Sequence, residues 1–140
     1  MRLYAESSAV LAWLLGEPRA ADVRAVLDTA ELVVASDITL IECDRVLIRA
    51  VSLREMREGE AAARRRVLNR AAATWHVLHL GEEIVERARR PFPGEPIRTL
   101  DAIHLAAAVV ARSVVSGLAV LSLDDRMRAA TTELGLDVNP

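Results

Sequence analysis

Residues 32–51, LVVASDITLIECDRVLIRAV, contain the strand-then-helix unit that decides the fold. Leu32–Ala35 is a short, β-branched apolar run between polar residues, which is typical of a strand buried on both faces. Ser36 or Asp37 can cap a helix that continues to about Val51. A buried strand followed at once by a helix is the repeating unit of a parallel sheet.

The same alternation extends through the chain in both directions. Further strands are predicted at residues 3–5, 75–80, 118–123 and 136–138. Further helices are predicted at residues 7–15, 19–29, 53–74, 81–90, 99–112 and 124–134. Right-handed crossovers between such strands predict an α/β fold, a three-layer α/β/α sandwich with a short parallel sheet. Sheets of this type bind ligands outside the carboxyl ends of the strands, where the strand order reverses.

Length and composition predict one globular domain over residues 1–140. The chain is 52% hydrophobic and 27% charged, which suffices to bury a core without disulfides. Its apolar runs are too short, or too close to charges, to cross a bilayer, so no contact with a membrane is expected. No signal peptide is visible, and we therefore expect a cytoplasmic location.

The residue types that are missing exclude several classes of chemistry. The chain contains no lysine, which excludes Schiff-base catalysis, a Walker A phosphate loop and kinase-type catalysis. The single Cys43 allows no internal disulfide and no thiolate zinc site. None of the six glycines belongs to a G-x-G-x-x-G arrangement, which argues against a dinucleotide site. A net charge of −2 gives no general sign of a nucleic-acid partner.

Three carboxylates follow strands or begin a helix. Glu6 directly follows the first predicted strand, and Asp124 follows the strand that ends at residue 123. Asp101 lies in the first turn of a strongly apolar helix that Thr99 can cap, where backbone N–H groups favour an anion. Each has a structural alternative, because acids at such positions also serve as helix caps or as partners of the helix dipole.

A fourth carboxylate, Glu42, interrupts an apolar helix face. Ile38 and Val46 lie four residues before and after it, so the same face should turn toward the core. The alternative is a surface pair with Arg45 three residues on. If Glu42 points inward, it can share one crevice with the three other acids.

Carboxylates gathered in one crevice predict a metal site. They repel one another and do not all ionise without a compensating cation. Hard oxygen ligands suit Mg²⁺ or Mn²⁺. A site of this kind can activate water and neutralise charge on a phosphodiester, without lysine or cysteine.

Four blocks of the sequence resemble the motifs of PIN-domain ribonucleases, and the match runs from end to end. The blocks are YAESSA at 4–9, SDITLIECDRVLIR at 36–49, LDAIHLA at 100–106 and VLSLD at 120–124. The LDAIHLA block is the most specific of them. The length and order of the blocks are similar to those of VapC-like toxins of type II toxin–antitoxin (VapBC) systems.

The resemblance implies a PIN-like fold and a metal-dependent endoribonuclease that cleaves RNA phosphodiester bonds with metal-activated water. It assigns catalysis to the acidic quartet Glu6, Glu42, Asp101 and Asp124, with Glu6, Asp101 and Asp124 as ligands of Mg²⁺ or Mn²⁺. Ser122 and Ser7 would orient these ligands or a water. The family usually has Asp where this chain has Glu6, and the alternative is therefore a degenerate PIN domain that binds RNA or a protein without catalysis.

The resemblance also implies partners. A cognate VapB-like antitoxin would lay an apolar helix between the early helices and bring a basic residue to the acids. A homodimer would use the apolar faces around Val10–Leu15 and Val46–Val51. RNA is the implied substrate, and two groups of arginines are candidates to contact its phosphates. One group is Arg64, Arg65, Arg66 and Arg70, for which a solvated face held by Glu58 and Glu60 is the alternative, and the other is Arg87, Arg89, Arg90 and Arg98.

Several other polar residues are interpreted as structural. His104 shares a helix face with Asp101, and we expect it to pack or to orient a ligand rather than to bind metal. Cys43 has apolar neighbours and is predicted to be a buried thiol. His76 and His79 are at an odd spacing along a strand, so they face opposite sides and cannot share an ion.

Overall fold

Five strands alternate with seven helices in the computed structural model, which describes residues 1–140. The elements in chain order are β1 (Arg2–Ala5), α1 (Ser7–Leu15), α2 (Ala20–Thr29), β2 (Leu32–Ser36), α3 (Asp37–Ser52), α4 (Glu58–Ala72), β3 (His76–Leu78), α5 (Glu82–Ala88), α6 (Thr99–Val114), β4 (Leu118–Leu121), α7 (Asp125–Glu133) and β5 (Asp137–Asn139). Every predicted strand and helix is present, in the predicted order.

The strands form one parallel sheet in the order β3-β2-β1-β4-β5. Tyr4 of the central strand pairs with Val34 on one side and with Val120 on the other. The chain adds β2 and β3 to one side of β1, and then crosses back to add β4 and β5 to the other side. The strand order therefore reverses between β1 and β4, and a crevice is expected outside their carboxyl ends.

Side chains of each strand alternate between two helical layers. Tyr4 and Val120 belong to a buried cluster that α5, α6 and α7 complete. Leu3 and Ala5 belong to the clusters that α1 to α4 complete on the opposite face. The parallel strands are buried on both sides, which is why they read as unbroken apolar runs. The three-layer α/β/α sandwich with a short parallel sheet is confirmed.

The start of the long helix predicted for residues 53–74 is wrong. Helix α3 continues to Ser52, the chain turns, and α4 begins only at Glu58. Arg54 has a φ of 58°, in the left-handed region, and two backbone N–H groups that follow it donate to the Ala50 carbonyl. This turn closes α3 without a glycine or proline, so the sequence carried no marker for it.

The remaining boundaries shift by a few residues. Strand β3 is three residues long, since only three of its residues pair with β2. Thr99 does not cap α6, because it is already the first helical residue, and Arg98 occupies the capping position without a side-chain capping hydrogen bond.

No helix combines the length and the apolar character needed to cross a lipid bilayer.

Candidate active site

A cavity of about 430 Å³ opens where the strand order reverses. All four predicted acids line it, together with Ser7 and Arg98: the acids are Glu6, Glu42, Asp101 and Asp124. They come from the end of β1, from α3, from the first turn of α6 and from the residue before α7. Folding therefore gathers four segments that are far apart in the chain around one acidic cavity.

Glu6 occupies the capping position of α1, and its carboxylate accepts hydrogen bonds from several donors. The backbone N–H of Ser8 donates to it at 3.0 Å, and the hydroxyls of Ser7 and Ser122 donate at 2.9 and 2.7 Å. The Ser8 hydroxyl is a fourth donor. Only 4% of Glu6 is exposed. The Glu6 side chain, which is one methylene longer than the usual aspartate, is thus held in one orientation in the wall of the cavity.

Ser8 is a site residue that the sequence reasoning missed. Besides donating to Glu6, its hydroxyl accepts the backbone N–H groups of Leu123 at 2.9 Å and of Asp124 at 3.2 Å. It therefore ties the first turn of α1 to the segment after β4. The available signal was the second serine of the YAESSA block, which stands in the first turn of the helix that follows Glu6.

Glu42 points inward and is bonded to a histidine from the opposite layer. Nε2 of His104 lies 2.5 Å from Oε1 of Glu42. The Ser7 hydroxyl lies 2.9 Å from the same oxygen, so its single hydrogen is shared between Glu42 and Glu6. The surface pair with Arg45 does not form. Burial raises the pKa of Glu42, but the hydrogen bond and positive charge of His104 and the hydrogen bond from Ser7 outweigh it, so the pKa lies below its usual value.

The other ring nitrogen of His104 is also engaged. Nδ1 lies 2.9 Å from the hydroxyl of Tyr4, which is in turn 2.9 Å from the hydroxyl of Ser36. Burial raises the pKa of Tyr4 well above its usual range, so this hydroxyl stays protonated. His104 is 1% exposed, and with both nitrogens committed it orients Glu42.

The four acids form two pairs with different surroundings. Glu6, Glu42 and His104 each offer a ligand atom, and these atoms lie within 4.8 Å of one another. Asp101 and Asp124 lie outside that set, and Arg98 stands between them. Arg98 Nε donates to Asp101 at 3.1 Å, and its Nη2 is 3.8 Å from an Asp124 oxygen.

Asp124 is also a helix cap, which was the structural alternative to its place in the site. Its carboxylate accepts the backbone N–H of Met127 at 2.9 Å and so caps α7. Asp125, the next residue, is exposed. Asp124 therefore both begins a helix and faces the acidic cavity, whereas its neighbour faces solvent.

Two of the four arginines in the first group make contacts within the fold. Arg64 donates to the backbone carbonyl of Leu14, and Arg65 pairs with Asp44 at 3.2 Å. These contacts hold α4 against α1 and α3, and neither Glu58 nor Glu60 is involved. Arg66 is exposed.

Cys43, His76 and His79 lie outside the acidic cavity. Cys43 is fully buried, and burial, followed by the nearby Glu42 and Asp44 carboxylates, raises the pKa of its thiol to about 12. His79 is exposed and pairs with Asp37 at 3.3 Å, while His76 is exposed on β3. None of these three residues lines the acidic cavity.

Comparisons with known proteins identify the family. The PIN domain family model matches residues 3–132. Ribonuclease VapC46 of Mycobacterium tuberculosis is 34% identical over 136 residues, which cover 97% of this chain and 95% of that protein.

Solved structures share the fold. The crystal structure of Mycobacterium tuberculosis VapC20, a sarcin–ricin loop cleaving toxin, superposes with a TM-score of 0.67 at 18% identity, covering 99% of each chain. A toxin–antitoxin complex from Klebsiella pneumoniae gives a TM-score of 0.66 at 18% identity, covering 100% of this chain and 97% of the other. The chain therefore belongs to the PIN-domain family and is a VapC-like member of it.

Proposed function

We propose that this protein is a metal-dependent endoribonuclease and the toxin of a type II toxin–antitoxin system, acting on RNA in the cytoplasm. One observation carries the proposal: four carboxylates from four separate segments line one cavity at the point where the strand order reverses. The relationship to a VapC ribonuclease supports RNA as the substrate.

The donor set fits a hard divalent cation. All four acids offer carboxylate oxygens, which Mg²⁺ and Mn²⁺ prefer, and there is no thiolate that would favour a softer metal. Glu6, Asp101 and Asp124 would hold the ion, as the resemblance implies, with Glu42 turned to the same cavity. Arg98 is 60% exposed and can swing away from the two aspartates. When bound, the ion polarises the scissile phosphodiester and lowers the pKa of water.

The protein's own groups orient the reacting partners. The low pKa of Glu42 keeps its carboxylate ionised at neutral pH, so it can accept a hydrogen bond from the attacking water. His104 holds Glu42 in place from behind. Ser7 and Ser122 fix the Glu6 carboxylate, which is the positioning role proposed for both serines.

Arg98 is the strongest candidate among the proposed RNA contacts. It lines the acidic cavity, so a phosphate that replaces its aspartate partners would lie beside the acids. Arg64, Arg65 and Arg66 are the more distant candidates, and the first two would have to exchange existing partners. We therefore expect Arg66 to contribute most within the triplet.

An antitoxin of the VapB type is the proposed protein partner. Leu11 and Leu100 line the acidic cavity, and Leu100 is 46% exposed, which suits an apolar helix whose basic residue reaches the acids. Of the two faces expected to build a homodimer, the one around Val10–Leu15 is largely turned inward, since Val10 and Leu14 are buried in the core.

Helix α3 offers the proposed homodimer an exposed apolar surface. Ile41 and Ile48, seven residues apart on one face of α3, are about half exposed. They continue the apolar face proposed around Val46–Val51. Sedimentation of the wild-type protein and of Ile48→Glu tests this face, with a monomeric variant expected from a dimeric parent.

Cleavage of RNA by the purified protein tests the function. We expect cleavage of total RNA in Mg²⁺ or Mn²⁺ and none in EDTA, with Mn²⁺ binding measured separately by calorimetry. A protein that binds neither ion and cleaves no RNA in either would contradict the proposal.

A degenerate PIN domain is the second candidate, and Glu6 in place of the usual aspartate favours it. Glu6→Asp separates the two. If the domain is degenerate, the wild-type protein is inactive and the variant is inactive or newly active. Comparable cleavage by both proteins supports the toxin.

A further inference from the structure

A second cavity of about 590 Å³ adjoins the acidic cavity. The two share Arg98 and Asp101 in their walls, so they lie side by side. The second cavity, which we call the flanking cavity, lies between the segment before α6 and one face of α7. Unlike the acidic cavity, it contains a cation that no carboxylate neutralises.

That cation is Arg126. It is exposed, no carboxylate oxygen lies within 4 Å of it, and its guanidinium makes no hydrogen bond within the protein. It stands in the first turn of α7, where the helix dipole disfavours a positive charge. Neither a protein contact nor the helix therefore explains its placement.

The face of α7 in this cavity changes from a positive to a negative side chain along the helix. Arg126, Ala129, Ala130 and Glu133 follow the i, i+3, i+4, i+7 spacing of one helix face. The cation is at the end next to Asp124 and two small residues follow. Glu133 is seven residues farther along the helix, a backbone rise of about 10 Å. Ile97, from the segment before α6, adds an apolar residue to the lining.

We propose that the flanking cavity binds the RNA nucleotide next to the scissile phosphate. Arg126 contacts the phosphate of that nucleotide, and its ribose and base lie over Ala129 and Ile97. Glu133 is distant from that phosphate and accepts a hydrogen bond from an amino group on the base edge. The inference rests on the proposed ribonuclease function, because it extends RNA binding from the acidic cavity to the cavity beside it.

Binding in the absence of metal tests the inference apart from cleavage. The probe is a fluorescein-labelled, single-stranded RNA 12-mer of mixed sequence, followed by anisotropy in EDTA over a range of NaCl concentrations. Loss of one phosphate contact lowers the salt slope of log Kd by about 0.7. We expect Arg126→Gln to show this loss together with weaker binding.

Arg49→Gln is the matched control. Arg49 is an exposed arginine on α3 that lines neither cavity, so its substitution removes the same charge elsewhere. We expect an unchanged salt slope. If the two variants have equal slopes and affinities, or if the wild-type protein binds no RNA, the inference is overturned.

Ala129 supplies a second test that does not remove an arginine. Ala129→Glu introduces a carboxylate into the cavity, and Ala129→Gln introduces a neutral side chain of nearly the same size. We expect the Glu variant to bind the 12-mer more weakly than the Gln variant, with equal melting temperatures; equal binding contradicts the inference.

Cleavage distinguishes the inference from the function on which it rests. If wild-type protein does not cleave RNA in Mg²⁺ or Mn²⁺ although Arg126→Gln lowers the salt slope, the proposed function fails and the binding site stands. If wild-type protein cleaves RNA and Arg126→Gln behaves as Arg49→Gln does, only the flanking cavity is refuted.

Discussion

Nε2 of His104 lies 2.5 Å from Oε1 of Glu42, although 62 residues separate them in the chain. The contact joins α6 to α3, two helices of opposite layers, at the edge of the acidic cavity. A buried hydrogen bond between an imidazole and a carboxylate is stronger than one between neutral groups. The orientation of Glu42 therefore depends on a residue that lines no part of the cavity itself.

Replacing His104 is expected to reduce both stability and activity. His104→Ala removes one hydrogen-bond partner from the Tyr4 hydroxyl and one from the Glu42 carboxylate, so that only Ser36 and Ser7 remain. Together with the cavity it leaves, this loss costs about 2 to 4 kcal/mol of unfolding free energy. Urea unfolding measures this loss. In single-turnover cleavage we expect a lower rate with an unchanged KM, because His104 acts through Glu42. His104→Gln, which can still donate to Glu42, should restore part of the rate.

His76 is the control for this experiment. It is an exposed histidine on an edge strand, so His76→Ala should change the free energy of unfolding by less than about 0.5 kcal/mol. Equal destabilisation by the two alanine variants would show that the buried hydrogen bonds of His104 contribute nothing.

Ser8 is expected to contribute to stability through its network. Ser8→Ala removes a donor to Glu6 and the acceptor of two backbone N–H groups, which should cost about 1 to 3 kcal/mol. Ser52→Ala, at the exposed end of α3, is the comparison, and its unfolding free energy should equal that of the wild-type protein. A neutral Ser8→Ala would mean that water replaces the lost hydroxyl.

Asp101→Asn is expected to abolish cleavage while leaving the fold intact. The substitution removes a proposed ligand and its charge, and several kcal/mol of transition-state stabilisation correspond to a loss on the order of 100- to 1,000-fold. RNA cleavage and growth inhibition on expression measure it. Asp125→Asn, which changes an exposed aspartate, should retain both activities. Toxicity that survives in Asp101→Asn would refute the ligand role.

The Cys43 thiol is expected to resist modification in the folded protein. It is fully buried, and its pKa of about 12 leaves almost no thiolate at pH 8. Reaction with a chromogenic disulfide reagent should therefore be slow in native buffer and immediate in denaturant. Rapid stoichiometric labelling of the native protein would show that α3 opens readily.

The fold could be predicted because its signals are local. Short β-branched runs and helical spacing recur along the chain, and each strand is buried on both faces, so its apolar run is unbroken. The turn at residues 53–57 could not be predicted, since LREMR contains no glycine or proline and has high helix propensity. That turn depends on how α3 and α4 pack together.

The sequence by itself determined which acids could meet. Glu6 and Asp124 follow strands, Asp101 begins a helix and Glu42 interrupts an apolar face, and in a doubly wound sheet these positions converge. The resemblance to PIN-domain ribonucleases rests on the same residues.

Only the tertiary structure decided how each acid is held. The donors that hold Glu6 come from α1 and from the segment after β4, and His104 reaches Glu42 across two layers. Arg98 stands between Asp101 and Asp124, and Arg126 is left without a carboxylate partner. Sequence patterns report periodicity and local turns, whereas the partners of a buried charge depend on distances between segments that only folding brings together.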